Sequence, residues 1–267
     1  MEWVVCPLFS GSKGNSSFFA TQDTRILVDA GVTMQQMKQG LEAIGADFSE
    51  IHAILVTHEH IDHIKALGPI ARKYGIPIYA TPKTWQAIRL QGRSGEFPIR
   101  TVIEFDPDRA FLIRGIRVVP FSTSHDAAQP TGFAFDNGRR KVGIMTDTGY
   151  ATSGAKEALF GAHTVILESN HDPELLRANP RYPEQLKVRI AGRRGHLSNA
   201  DSAAFLSDLV RGGTCQVALA HLSQENNTPE LAYDTAAQGL LEIGAVPGQD
   251  LNLVIARQEG PVGLLGV

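Results

Sequence analysis

The sequence predicts an α+β fold in which two mixed β-sheets pack together and helices cover their outer faces. Helical and strand patterns alternate along the 267 residues, and several strands follow one another as hairpins rather than as strand–helix–strand units. The sequence has no low-complexity tract, Gly/Ser linker or short-period repeat. We therefore expect one domain over residues 1–267, and not a simple doubly wound sheet.

The first half of the chain begins with a predicted hairpin, whose strands at 3–9 and 16–21 flank the turn at 10–15. A plain hairpin explains this turn as well as a loop whose N–H groups contact a phosphate. Further apolar, β-rich runs predict strands at 25–28, 51–57, 76–80, 101–105 and 116–121. Helical spacing of apolar residues predicts helices at 34–44, 64–74 and 82–90. Thr33 can cap the first of these helices and Gly45 can end it.

The second half continues the same mixture of elements. Predicted strands lie at 132–135, 141–146, 164–168, 215–220, 251–256 and 262–265. Predicted helices lie at 154–160, 182–191, 200–210 and 229–243.

The composition is that of a compact globular protein. A hydrophobic content of 43% and a net charge of −3, from 25 basic and 28 acidic residues, exclude a disordered chain. The near-neutral charge also argues against a nucleic-acid binder that works by bulk charge. Two cysteines in apolar runs predict buried thiols and no disulfide framework. With neither a signal peptide nor a membrane-spanning run, the expected class is a cytoplasmic enzyme with no membrane partner.

The densest chemistry follows the strand at 51–57, in the segment His58-Glu59-His60-Ile61-Asp62-His63. Three imidazoles and a nearby carboxylate are costly to bury without a partner, and they match the donors of divalent transition metals. His58 and His60 can converge on one ion, while Asp62 and His63 point elsewhere and can serve a second ion. A solvated polar loop is the alternative, and it is an odd continuation of an apolar strand.

Three further candidates lie where predicted strands end: His125, Asp147 and His221. Taken singly, each is more often a capping residue or a satisfied core histidine. Their recurrence at strand ends, in a chain that already has the histidine cluster, favours a shared metal site.

These residues resemble the metallo-β-lactamase superfamily. The segment His58-x-His60-x-Asp62-His63 is similar to its HxHxDH motif, and Asp29 is similar to the aspartate that opens the family pattern. The resemblance covers about residues 1–225 and implies a four-layer αββα sandwich with a dinuclear metal site. By analogy, His58, His60 and His125 hold one ion, Asp62, His63 and His221 hold the other, and Asp147 bridges them. By the same analogy, Asp29 would orient one of the ligands without itself binding an ion.

The family fold does not fix the substrate, but three features favour a phosphodiester. His196 precedes a predicted helix, where it could bind a phosphate or protonate a leaving oxygen. Glu168 ends a strand and could hold His196 protonated. Residues 177–194 carry six basic residues against Glu184 alone, a net charge of +5 that could steer a nucleic acid. Alternatively, His196 is an ordinary residue near a helix cap, Glu168 is a strand end that faces solvent, and the basic run is a solvated helix face.

The same trio resembles a narrower branch. The segments Glu168-Ser169, Gly195-His196-Leu197-Ser198 and Ala220-His221 look like the motifs of the β-CASP ribonucleases, but only 28 residues separate Glu168 from His196. The large inserted domain of those enzymes is therefore absent. The chain looks like the stand-alone YycJ/WalJ family, which is associated with nuclease activity, including 5′-to-3′ exonuclease activity on DNA.

Together these features predict a dinuclear metal-dependent phosphodiesterase whose metal-activated hydroxide attacks phosphorus. Asp62, His196 and Glu168 are the catalytic candidates, and the substrate is a nucleic acid, DNA before RNA. Zinc, manganese and iron all suit the two metal positions. A glyoxalase-II-like thioester or lactone hydrolase is the second hypothesis, and it gives Glu168 and His196 no role. A non-catalytic binding module with a structural metal is the third.

Overall fold

A computed structural model describes residues 3–266 of the chain. The strands in chain order are β1 (Val4–Phe9), β2 (Ser16–Ala20), β3 (Arg25–Val28), β4 (Ala53–Leu55), β5 (Ile78–Ala80), β6 (Val102–Glu104), β7 (Phe111–Ile113), β8 (Ile116–Ser122), β9 (Thr131–Asp136), β10 (Lys141–Met145), β11 (Thr164–Glu168), β12 (Gln216–Ala220), β13 (Asn252–Ile255) and β14 (Leu265–Gly266). The α-helices are α1 (Met34–Glu42), α2 (Ile61–Ile64), α3 (Leu67–Tyr74), α4 (Pro82–Gln91), α5 (Ser153–Leu159), α6 (Pro173–Ala178), α7 (Glu184–Ala191), α8 (Asn199–Arg211) and α9 (Pro229–Leu241).

Within residues 3–266 the strands form two mixed sheets of seven strands each, and both sheets combine antiparallel and parallel neighbours in the same arrangement. The first sheet has the order β14-β1-β2-β3-β4-β5-β6, and the second has the order β13-β12-β11-β10-β9-β8-β7. In the first sheet β3 to β6 are parallel, and in the second β10 to β13 are parallel. The remaining neighbours pair antiparallel, and all of them except β1 and β14 are consecutive strands joined as hairpins.

An aromatic core joins the two sheets. The rings of Phe19 on β2 and Phe135 on β9 stack with centroids 4.2 Å apart, and Trp3 packs edge-on against Phe19. Helices α1, α3 and α4 bury apolar residues such as Met37 against the outer face of the first sheet. Helices α5, α8 and α9 do the same on the second sheet, with residues such as Leu206. The predicted α+β sandwich, with two sheets between helical layers, is confirmed.

The sequence-based elements agree with the structure in type, apart from a few short elements that were not predicted. The predicted helix at 64–74 corresponds to α3, which begins only at Leu67, and the short helix α2 before it was not predicted. Strand β7 and helix α6 were not predicted, since each is only three to six residues long. Cys6 is buried as predicted, whereas Cys215 is exposed just before β12.

In the described part of the chain, no helix is long and apolar enough to cross a membrane.

Candidate metal centre and active site

The candidate residues meet at one edge of the sandwich, where parallel strands of both sheets end. Asp29 directly follows β3, and the segment that contains His58 follows the parallel neighbour β4. In the second sheet, Asp147 comes after β10, Glu168 ends β11 and His221 directly follows β12. Since parallel strands end at the same edge, their last side chains share one cleft.

Backbone strain accompanies this placement. Among the described residues, four that are not glycine have a positive φ, and three of them are Asp29, Asp147 and His221, with φ of 64°, 57° and 58°. This left-handed conformation is unfavourable for L-residues and persists only where the surroundings impose it. It turns the chain abruptly at each strand end, so that Asp147 and His221 line the cleft and Asp29 lies behind His63.

One group of donors consists of His58, His60 and His125, whose ligand atoms lie within 4.8 Å of one another. Nδ1 of His60 is 3.3 Å from Nε2 of His125. The other ring nitrogen of His125 donates to the carbonyl oxygen of Gly195 at 3.0 Å, which leaves Nε2 to face the cleft. One nitrogen from each of these three histidines can bind one divalent ion.

A second group consists of Asp62, His63 and His221, again within 4.8 Å. The carboxylate of Asp147 lies between the two groups. Its Oδ1 is 3.5 Å from Nε2 of His221 and 3.8 Å from Nε2 of His125, and its Oδ2 is 3.4 Å from Nε2 of His63. A carboxylate in this position can contact ions held by either group.

The buried donor atoms lack partners within the described chain. His58 Nε2, Asp147 Oδ2 and His221 Nε2 are fully buried and make no hydrogen bond. Unpartnered buried polar atoms are costly and rare in folded proteins. Their convergence, together with the mixture of imidazole and carboxylate, fits divalent metal ions, which would supply the missing partners.

Asp29 fixes the segment that carries these donors. Its carboxylate accepts hydrogen bonds from the backbone N–H and the hydroxyl of Thr57, each at 2.8 Å, and from Nδ1 of His63 at 2.8 Å. The bond to Nδ1 leaves Nε2 of His63 as the atom that faces Asp62 and Asp147. A carboxylate behind a histidine ligand sets its tautomer and ring orientation in metal sites.

The charges of the cluster shift several pKa values. Burial lowers the pKa of His63, but the carboxylates of Asp147, Asp29 and Asp62 raise it to about 10. Burial also lowers the pKa of His221, but the carboxylates of Asp147 and Glu168 raise it to about 9. Conversely, burial raises the pKa of Asp147, and the surrounding histidines lower it well below its usual value. Without metal, the cluster therefore holds protons on imidazoles beside ionised carboxylates.

His196 lies beside this cluster and is held by Glu168. Oε1 of Glu168 accepts hydrogen bonds from Nδ1 of His196 at 2.8 Å and from Nδ1 of His221 at 3.0 Å. Burial raises the pKa of Glu168, but the two histidines lower it to about 2, so the carboxyl is ionised. The side chain of His196 is 20% exposed and lines the cleft, so its second nitrogen can reach a substrate.

The basic run at 177–194 is less open than its sequence suggests. Arg181 pairs with Glu225, and Arg189 pairs with Asp126. Lys187 donates to a backbone carbonyl and is mostly buried, and Arg193 stacks on the ring of Tyr150. Most of these basic side chains therefore already have partners within the protein, and the run does not form a free cationic surface.

Two residues of the site were missed in the sequence. Asn15 donates through Nδ2 towards Asp62, and its backbone N–H donates to the Asp62 carbonyl at 2.8 Å. Asn170 donates to the carbonyl of His221 at 2.8 Å. The turn at 10–15 was the available signal for the first, because it combines two glycines with an asparagine. For Asn170, its place two residues after Glu168 was the only signal.

Comparisons with known proteins agree with this architecture. The Beta-lactamase superfamily domain matches residues 24–220. Exodeoxyribonuclease YycJ of Bacillus anthracis is 40% identical over 246 residues, which cover 92% of each chain. Exodeoxyribonuclease WalJ of Streptococcus pneumoniae is 36% identical over 92% of this chain and 91% of that protein. The crystal structure of the metallo-β-lactamase fold protein YhfI of Bacillus subtilis superposes with a TM-score of 0.72 over all of both chains, at 16% identity.

Proposed function

Because this chain belongs to the metallo-β-lactamase superfamily, and within it to the family of the YycJ and WalJ proteins, we propose that it is a metal-dependent exodeoxyribonuclease. We propose further that it degrades DNA from the 5′ end and that RNA is the secondary substrate. The observation that carries the proposal is the Glu168–His196 pair beside the metal donors, since a nuclease can use it as a proton source.

Seven side chains would hold the metal ions. His58, His60 and His125 would hold one ion, and Asp62, His63 and His221 the other, with Asp147 shared between them. Zinc and manganese are the ions that we propose, with iron as an alternative, because imidazole and carboxylate donors suit all three. Asp29 would orient His63 through the hydrogen bond to Nδ1.

Two divalent ions would activate a water molecule and stabilise the charge that develops on a phosphodiester. Around them, the protein's own side chains position the reacting groups. Glu168 holds His196 through Nδ1, which leaves Nε2 as the atom that can donate a proton to the leaving oxygen. Asp62 contributes one carboxylate at the mouth of the cleft.

This arrangement suits phosphodiester cleavage better than cleavage of a thioester. A thiolate is a good leaving group and needs no proton donor, whereas an alkoxide leaving group benefits from one. A thioesterase would have no use for a buried carboxylate that holds a partly exposed histidine beside the donor cluster. The same pair favours catalysis over a purely structural role for the metals.

The experiment is a direct comparison of substrates. The protein, loaded with manganese or zinc, is incubated with single- and double-stranded DNA and RNA labelled at the 5′ or the 3′ end, and with a glutathione thioester. The proposal predicts that 5′-labelled DNA releases labelled mononucleotides from the earliest times, while 3′-labelled DNA shortens stepwise. Hydrolysis of the thioester without cleavage of any oligonucleotide would contradict the proposal. Internal fragments as the first products would contradict the exonuclease mode.

A further inference from the structure

The metal donors open onto a cavity of about 450 Å³ whose wall is chemically divided. One part consists of Ser12 and Lys13, from the loop between β1 and β2. Another consists of Tyr182, Leu186 and Ile190, from α7 and the residue two positions before it. The donor cluster and His196 lie at the same cavity. Metal chemistry alone requires neither the lysine nor the apolar residues.

The lysine is carried by a loop that is fixed to the metal-binding segment. The side chain of Asn15 closes the loop through bonds to the backbone N–H and carbonyl of Gly11, at 2.9 and 3.0 Å. The backbone N–H of Asn15 donates to Asp62, and its carbonyl accepts from Gly31. The loop therefore keeps a constant position relative to Asp62, and Lys13 projects from it at the cavity.

Lys13 is the available cation of this cavity. Two basic residues line it, Lys13 and Arg189. Arg189 is already paired with Asp126. Over residues 3–266, no carboxylate lies within 4.0 Å of the Lys13 ammonium, which is exposed. A flexible ammonium beside a divalent-metal site suits a phosphate group.

Helix α7 contributes the apolar part of the wall. None of its residues is buried, although a surface helix normally buries its apolar face. Leu186 and Ile190 are four residues apart, so they lie on one side of the helix, and Tyr182, which precedes the helix, lines the same cavity. We call these three residues the α7 stripe. All three are half-buried and line the cavity, so the stripe faces the place where a substrate would lie.

The stripe has a fixed distance from the metal donors. The backbone N–H of His196 donates to the carbonyl of Ile190 at 2.9 Å, and the pair of Arg189 with Asp126 joins α7 to the residue after His125. An apolar wall of this kind cannot bind phosphate, but it can pack against a base. The two parts of the wall therefore complement the two parts of one nucleotide.

We propose that the terminal nucleotide of the substrate strand binds with its 5′ phosphate at Lys13 and its base against the α7 stripe. This inference rests on the nuclease activity proposed above and names the residues that recognise the strand end. In this proposal α7 binds the substrate strand, in a chain that lacks the large inserted domain between Glu168 and His196. Contacts to a base face rather than to its edge are tolerant of sequence, so all four bases are accepted.

The test measures coupling between the stripe and the terminal base. The metal-loaded enzyme is assayed on a 5′-phosphorylated, 3′-fluorescent single-stranded oligonucleotide and on the same strand with an abasic 5′-terminal residue. For the wild type, we expect KM to be about tenfold higher on the abasic strand. Leu186→Ala and Tyr182→Ala should raise KM about tenfold on the normal strand and leave it unchanged on the abasic strand, since coupled partners are not additive.

Matched variants separate this effect from structural damage. Val188→Ala removes a side chain of the same helix that is 64% exposed and does not line the cavity, so KM should not change. Lys13→Gln should raise KM on both strands by similar factors, whereas Lys83→Gln, on the exposed side of α4, should not.

The inference is overturned if the wild type does not distinguish the two strands, or if Leu186→Ala raises KM equally on both. Fluorescence anisotropy on strands with phosphorothioate terminal linkages gives the same comparison without cleavage. Tighter binding of the normal than of the abasic strand, together with no cleavage of the unmodified oligonucleotide, would support the inference and contradict the nuclease proposal. Cleavage without discrimination would do the reverse, so the two failures are distinguishable.

Discussion

Glu168 accepts a hydrogen bond from Nδ1 of His196 at 2.8 Å through the same carboxylate oxygen that contacts Nδ1 of His221 at 3.0 Å. The other oxygen of Glu168 accepts from the backbone N–H of Thr148 at 2.8 Å. One fully buried carboxylate thus orients two imidazoles with different tasks. His221 turns its Nε2 towards Asp147, and His196 turns its Nε2 towards the substrate cleft.

This division of tasks predicts that His196→Ala retains both metal ions but loses turnover. Removal of a positioned proton donor typically lowers the rate by about 10²- to 10⁴-fold. Metal content by mass spectrometry and cleavage of a labelled oligonucleotide, measured on one preparation, provide the check. Loss of a metal ion in this variant would show that His196 is a ligand. His163→Ala, at a histidine outside the cleft, is the control and should leave both quantities unchanged.

Asp29→Asn tests the orientation of His63. Asparagine tolerates the left-handed backbone that Asp29 adopts, so the fold should persist. However, an amide has one acceptor oxygen, so it cannot accept from the backbone N–H of Thr57 at one atom and from Nδ1 of His63 at the other, as the two carboxylate oxygens do. We expect metal affinity to fall by about 10- to 100-fold, as is typical for partners behind metal ligands. Competition with a chelator of known affinity measures this, and an unchanged affinity would contradict the role of Asp29.

Metal loading should release protons. In the metal-free protein, His63 has a pKa of about 10 and His221 of about 9, because the carboxylates around them outweigh their burial. Both are therefore protonated at pH 7 and must lose a proton to act as ligands. Titration calorimetry in two buffers of different ionisation enthalpy should give a release of about two protons per chain. Apparent affinity should rise with pH and level off above pH 9 to 10. Binding without proton release would contradict these pKa values.

The close approach of Gly31 to the metal-binding segment predicts that Gly31→Ala is harmful. A Cβ atom at this position would lie 1.6 Å from the carbonyl oxygen of Asp62 and 2.7 Å from the backbone nitrogen of Asn15. We expect a loss of about 2–3 kcal/mol in the free energy of unfolding, together with weaker metal binding. Gly154→Ala is the matched control, because the nearest atoms lie 4.0 Å from the Cβ position. It should be neutral or slightly stabilising. Urea denaturation compares the two variants.

The fold and the donor residues were predictable because both depend on local patterns. Apolar runs that end in histidine or aspartate marked strand ends, and strand ends of a parallel sheet share an edge. Contacts between distant segments were not predictable. Arg189 pairs with Asp126 across 63 residues, so a count of local charges overestimated the free positive charge of the run at 177–194. Asn15 reaches Asp62 across 47 residues, which no pattern near Asn15 reveals.

We propose that DNA cleavage requires two divalent metal ions in the cleft. The most direct measurement adds manganese in steps to the metal-free protein and follows both bound metal and the rate of mononucleotide release from DNA. We predict no release without metal, little with one ion per chain, full activity with two, and no activity at any loading for Asp147→Ala. DNA cleavage at an undiminished rate by the metal-free protein or by Asp147→Ala would contradict the account.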